Sequence, residues 1–303
     1  MFILDWLRIA VSWILVQFHA LLSPAFGSAS GVTWTLSIIG LVLVIRIALI
    51  PLFVKQIRSQ RNLQIIQPQM KAIQEKYAGD RERQSQEMMK LYRETGTNPF
   101  SSCLPILLQA PIFFALFSVL QGIATRTKQG VFQWEQYAGL LEQARDGMIF
   151  NVPLYGTFKD AVETVAPLNT RLLAGFLVIL MTVTTFITQR QLIVKNVAPD
   201  NPMVQQQKIL LYLFPPMFAI GGFGFPIGVL IYWSVSNIWT MGQQFWVIRN
   251  SPQPGTPAYA AWEARQRKKG KLQDPETLPP PPPSPAAPRQ QPKRAPRGKR
   301  KKK

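Results

Sequence analysis

The chain has 303 residues, 47% of them hydrophobic, and a formal net charge of +19 at pH 7. Its mean hydropathy is only +0.06, because long apolar runs alternate with strongly basic polar segments. Runs of about 20 residues almost free of charge exclude an ordinary water-soluble domain, and a single cysteine, Cys103, excludes an internal disulfide or a cysteine-cluster metal site.

Residues 1–24 read as one apolar helix with a narrow polar stripe. Asp5, Arg8, Ser12 and His19 fall within about 60° of one another at 100° per residue. With Trp6 and Trp13 beside the stripe, the segment suits an amphipathic helix on the outer surface of the membrane. The other reading is a sixth span, which would break the charge topology given below.

Residues 25–54 carry the first transmembrane helix, with the apolar run TWTLSIIGLVLVIRIALIPLFV over 33–54. Arg46 stands inside it. If Lys55 marks the membrane edge, Arg46 lies about 13 Å inward at the helical rise, nearly half of a ~30 Å hydrocarbon core. An arginine at that depth costs roughly 2.5–3.5 kcal/mol on insertion scales unless water or a polar partner receives it. No Asp or Glu occurs in any apolar span to pair with it. Pro51 has no N–H, so the carbonyl of Ile47 loses its helical partner one residue from the arginine. Charge and open carbonyl together indicate a polar cavity within the membrane. The plainer alternative is an arginine that neutralises a structural partner.

Residues 55–102 form a cytoplasmic helical hairpin. SQRNLQIIQPQMKAIQEKY and DRERQSQEMMKLYRET are separated by a turn in which Asp80 can cap the second helix. Leu63, Ile66, Met70, Ile73 and Tyr77 recur at helical spacing, and Met88, Leu91 and Tyr92 make a second apolar edge. Gln64, Met70, Tyr77, Met88 and Tyr92 are the candidate capture residues. A solvated, charged connector is the blander reading.

The second span, 103–124, holds Gln109 between Pro105 and Pro111. This amide either lines a cavity or bridges helices, where such bonds average about 0.6 kcal/mol. An external loop follows over 125–170. Residues 171–249 contain spans three to five, at 171–190, 207–222 and 226–247, the last two joined by the tight turn GGFGFPIG. Thr182, Thr184, Thr185, Thr188 and Gln189 put polar groups on the third span, although threonines often bond back to their own helix. Tyr232, Trp233, Ser236 and Asn237 form the polar patch of the fifth. On the residues alone, Trp233 reads as an ordinary packing aromatic.

Lysine and arginine set the orientation. Nine fall in 55–102 and four in 125–170, while from 248 onward fifteen face three acidic residues. Five spans then leave the N-terminus outside and the C-terminus in the cytoplasm. Residues 250–303 read as a disordered, basic, proline-rich tail. It can bind ribosomal RNA or anionic lipids, or serve only as a topological anchor.

Three stretches resemble a known family. GTNPFSSCLPILLQAPIFFALFSVL, 96–120, closely resembles the second core helix of YidC-type membrane protein insertases. Arg46 followed by IALIPLFVKQIRSQRNLQIIQPQMKAIQEKY is similar to the first core helix, and IYWSVSNIWTMGQQ, 231–244, to the last. The short form with a basic proline-rich tail looks most like actinobacterial members. Ser102 departs from the usual glycine before the cysteine, and Thr188, followed by Gln189, stands where a glutamine is common.

The resemblance implies an all-α protein of the bacterial plasma membrane. Five transmembrane helices would form a hydrophilic groove, with the outer interfacial helix and the cytoplasmic hairpin as additions. The groove residues would be Arg46, Gln109, Thr184, Thr188, Gln189, Trp233 and Asn237. Substrates would be nascent membrane proteins, with the Sec translocon, the ribosome and anionic lipids as partners. It implies no enzyme activity, catalytic residues, metal or cofactor. The residues alone also allow a small-solute or ion-coupled transporter, or a ribosome-tethering scaffold. Against a transporter stand the lack of an inverted repeat and of an intramembrane carboxylate.

Overall fold

A computed structural model describes residues 2–55, 66–96, 104–196, 203–252 and 256–271. The architecture is almost wholly helical. In chain order the helices are α1 (Phe2–Phe26), α2 (Gly31–Ala48), α3 (Gln67–Lys76), α4 (Arg81–Glu94), α5 (Leu104–Thr125), α6 (Ala138–Asp146), α7 (Pro167–Asn196), α8 (Met203–Gly222), α9 (Ile227–Asn250) and α10 (Pro257–Lys268). One short hairpin, β1 (Met148–Ile149) with β2 (Val152–Pro153), interrupts the series.

Three helices are long and apolar enough to cross a membrane: Ile3–Phe26, Gly31–Ala48 and Pro167–Gln191. Gln109–Thr125 and Leu211–Gly222 are shorter apolar helices. The surface of α7 shows what these helices face. Leu168, Leu172, Phe176, Ile179, Val183 and Ile187 recur every three or four residues and are all exposed. From 168 to 187 this stripe runs about 28 Å, close to the ~30 Å hydrocarbon thickness of a bilayer. A continuous apolar face of that length is a lipid-facing surface.

The opposite faces pack together. Helix α9 lies against α7 and α2, α8 against α7, and α1 against α2 and α5. Trp34, Leu41, Leu116, Met181 and Leu230 are fully buried between them. Glycine permits the closest approaches, as membrane helix packing requires. A Cβ on Gly40 would sit 2.6 Å from the Phe18 ring.

Of the polar stripe predicted on α1, Arg8, Ser12 and His19 are turned into the protein, while Asp5 stays exposed beside Arg8. Arg8 Nε donates to Ser118 Oγ at 2.8 Å, and Ser12 Oγ accepts the Val131 N–H at 2.8 Å. His19 is buried, stacked on Trp34 at 4.0 Å, with Nε2 2.8 Å from the Ser28 carbonyl oxygen. Gly130 has a φ of +57°, and a Cβ there would lie 2.1 Å from Ser12 Oγ. The stripe is therefore a seam between α1, α5 and the segment after α5. Ile3, Trp6, Trp13 and Leu21 point outward instead.

The segment 125–170 is more than a loop. Val131, Phe132, Leu141, Val152, Leu154 and Ala161 are buried. Phe150 and Asn151, with φ of 53° and 62°, turn the β1–β2 hairpin, as a two-residue turn of positive φ does. Backbone bonds then stitch the segment to the α8–α9 turn. Ile227 N–H donates to Gly156 O at 2.9 Å and Gly228 N–H to Leu154 O at 3.0 Å. The start of α2 closes the same end, since a Cβ on Gly31 would meet the Met148 backbone at 2.3 Å. One end of the bundle is thus capped by folded chain.

At the other end, α3 and α4 pack against each other across a short turn. Asp80 Oδ1 accepts the Arg83 N–H at 3.0 Å and caps α4. Ile66 and Leu91 are buried, Met70, Tyr77, Met88 and Tyr92 are half-buried, and Tyr92 Oη lies 3.9 Å from Met70 Sδ. Gln64 lies outside the described residues.

The tail requires a correction. The reading of 250–303 as disordered fails over Pro257–Lys268, which is helix α10. Pro257 starts it with a preset φ, and Thr256 Oγ1 accepts the Tyr259 N–H at 3.3 Å. Ala258, Ala260 and Ala261 favour helix, and Glu263 pairs with Arg267 one turn on, at 3.7 Å. Residues 272–303, with the proline run and the terminal basic cluster, lie outside the described residues.

Candidate functional site: a polar recess at Arg46

Arg46 sits in the last turn of α2. The helix breaks at Leu49 and resumes over 50–55. The break falls where Pro51 withholds its N–H from the Ile47 carbonyl. Leu49 N–H still reaches Ile45 O at 3.0 Å, and Phe53 N–H reaches Leu49 O at 3.0 Å. The Leu49 N–H also reaches the Ile47 carbonyl, so a turn without the regular helical bond follows the arginine directly.

The guanidinium crosses to α9. Arg46 Nη2 donates to Ser236 Oγ and, at 3.4 Å, to the Ser236 carbonyl. No ion pair among the described residues involves Arg46. A small crevice opens beside it, and its polar walls are Arg46, Gln109, Tyr232 and Ser236, from α2, α5 and α9. Phe113 and Leu116 supply apolar wall. Its chemistry is a positive charge with amide and hydroxyl groups, half enclosed by hydrocarbon. Such a site attracts anionic or strongly polar groups.

The other predicted groove residues lie elsewhere. Thr184 and Thr188 are buried and bond back to their own helix, Thr184 to Leu180 O and Thr188 to Thr184 O, both at 2.7 Å. Asn237 Nδ2 donates to Thr185 Oγ1 at 2.9 Å and to Met181 O at 3.2 Å, tying α9 to α7. Gln189 Oε1 is buried without a partner among the described residues. Trp233 packs in an aromatic cluster with Phe113, Phe218 and Phe225, at centroid distances of 5.3, 5.1 and 5.9 Å. Through Phe113 it backs one wall of the recess. The structure thus unites Arg46 with Gln109 and adds Tyr232 and Ser236 to them.

Comparison with known proteins supplies the family. The family described as 60Kd inner membrane protein matches residues 25–254. A relative from Streptomyces avermitilis, named Membrane protein insertase YidC, is 51% identical over 271 residues. A relative of the same name from Tropheryma whipplei is 42% identical over 285 residues, which cover 88% of this chain and 91% of that protein. The chain belongs to the YidC family. Against the Streptomyces YidC the match covers 87% of this chain and only 62% of that longer protein. A crystal structure of an active YidC insertase with its first transmembrane domain resolved is 24% identical, with a TM-score of 0.48 over 80% of this chain and 47% of that one. Arg46, Gln109, Tyr232 and Ser236 all fall inside the span that matches the YidC family.

Proposed function

We propose that this chain is a membrane protein insertase and chaperone that works through the Arg46 recess. One observation carries the reading: a guanidinium within an apolar helix meets hydroxyl, amide and carbonyl groups and no carboxylate. Such a charge is costly at membrane depth, and it retains its attraction for an incoming anion. The polar or acidic outer segment of a nascent membrane protein enters the recess from the cytoplasm. The apolar segment behind it moves into lipid, gaining about 25 cal/mol per Å² of apolar surface removed from water. That transfer drives insertion without nucleotide hydrolysis.

In this reading five helices make the groove: α2, α5, α7, α8 and α9. The capped end of the bundle faces outside and the α3–α4 hairpin faces the cytoplasm, where it captures substrate. The charge balance of the loops alone puts helix α1 along the outer surface, because its polar stripe faces the protein and its outward face is apolar. The Sec translocon, the ribosome and anionic lipids are its partners, the last two through the basic tail. Thr184, Thr188, Gln189, Trp233 and Asn237 act as supports of the groove walls.

Site-specific photocrosslinking tests the function. A photoreactive residue replacing Gln109 leaves Arg46 in place. It should crosslink the polar outer segment of a ribosome-stalled membrane protein and lose the adduct when the chain is released into lipid. Adducts to lipid alone would count against the reading.

Labelling tests the topology. A cysteine introduced as Phe2→Cys, with Cys103→Ser, should react with an impermeant thiol reagent added outside intact cells. Reaction only after lysis would place the N-terminus inside and make α1 a span.

A further inference from the structure

Arg46 carries five N–H donors, and α9 engages one of its nitrogens. Nη2 holds Ser236 at both the hydroxyl and the carbonyl. That carbonyl also accepts Thr240 Oγ1 at 2.8 Å, and the hydroxyl lies within hydrogen-bond reach of Tyr232 one turn earlier on α9. Ser236 is itself buried, 6% exposed, and it holds no charge. Its hydroxyl can orient the guanidinium without neutralising it. Asn237, the next residue, is committed to Thr185 and Met181 on α7 and cannot take this role.

We propose that Ser236 is a positioning residue for Arg46. It docks one edge of the guanidinium on α9 and keeps the remaining donors turned toward Gln109 and the open recess. A carboxylate at this position would cancel the field that attracts substrate. An apolar residue would let the long side chain relax toward the interface beyond the Pro51 kink, as arginine stems do. A hydroxyl fixes place and leaves charge. The inference rests on the insertase reading above and names the group that aims its charge.

The test uses the full chain in proteoliposomes and two stalled substrates, one with an acidic outer tail and one with an uncharged tail. Insertion is read by protease protection for wild type, Ser236→Ala, Ser236→Thr and Arg46→Ala. In Ser236→Ala the ratio of acidic-tail to uncharged-tail insertion should fall about tenfold, the low end for losing a hydrogen bond to a charged group. Ser236→Thr, which keeps the hydroxyl, should bring the ratio back to within about twofold of wild type on the same grounds. A merely structural serine would lower both substrates together and leave the ratio unmoved, which overturns the proposal. An unchanged ratio in Ser236→Ala with a collapsed ratio in Arg46→Ala overturns the positioning role alone. An unchanged ratio in both variants overturns the Arg46 mechanism beneath it as well.

Discussion

Arg46→Ala should lower insertion of a substrate with an acidic outer tail by more than tenfold, and Arg46→Lys should keep most of it. The size follows from Coulomb's law. Two unit charges ~4 Å apart interact by about 4 kcal/mol at an effective dielectric near 20, and by about 1 kcal/mol in bulk water. Each ~1.4 kcal/mol is a factor of ten, so a half-enclosed recess lies well above the tenfold line. Lysine preserves the charge and gives up the planar fork. Lysine gives up the edge that Ser236 holds but no ion pair, because α9 offers one serine and no carboxylate for a bidentate clamp. Protease protection of a stalled substrate under depletion of the native protein measures the effect. Thermal stability of the purified variants must stay close to wild type for the comparison to hold. Wild-type insertion of the acidic substrate by Arg46→Ala would falsify the mechanism. Equal failure of both variants with loss of stability would make Arg46 a structural clamp instead.

That prediction rests on a residue legible from sequence alone. An arginine within an apolar run, a proline five residues on and no acidic partner in any span identify a site without any structure. Helices α3 and α4 are legible for the same reason, since hydrophobic periodicity and a capping aspartate are local signals. Which residues meet Arg46 was not local. Tyr232 and Ser236 are one turn apart and share a face of α9, while Trp233 and Asn237 share the next face, about 100° around. The sequence shows both pairs as one polar patch. Only the packing of α9 against α2 on one side and α7 on the other separates them. The α1 stripe misleads in a related way. A polar stripe on an apolar helix points to water until another element supplies Ser118 and the Val131 N–H as partners. The 125–170 segment hides its order because its buried residues are scattered among short turns and no long element announces them. Helix α10 is hidden in the sequence because a basic, proline-flanked composition masks four alanines and a good cap.

Deleting residues 67–94 and closing the gap with a short glycine–serine linker should abolish insertion while leaving the bundle intact. Helices α3 and α4 make their helix–helix contact with each other. Of their described side chains Leu91 alone is buried, with Ile66 just before them. Two exposed ion pairs tie charges of the hairpin to one another, Asp80–Arg83 at 3.6 Å and Lys90–Glu94 at 4.0 Å, each contributing less than about 1 kcal/mol. The membrane bundle draws its packing from Trp34, Leu41, Leu116, Met181 and Leu230, none of which belongs to the hairpin. Removing the hairpin therefore takes away little of the buried surface that holds the bundle. It does remove the half-buried edge of Met70, Tyr77, Met88 and Tyr92, an adaptable apolar surface suited to capturing varied segments. The deleted chain should still resist alkaline extraction from membranes and melt within a few degrees of wild type, while crosslinks from position 109 to a stalled substrate disappear. Degradation of the truncated chain, or its extraction from the membrane, would assign the hairpin to the folded scaffold. Undiminished crosslinking would remove it from the capture step.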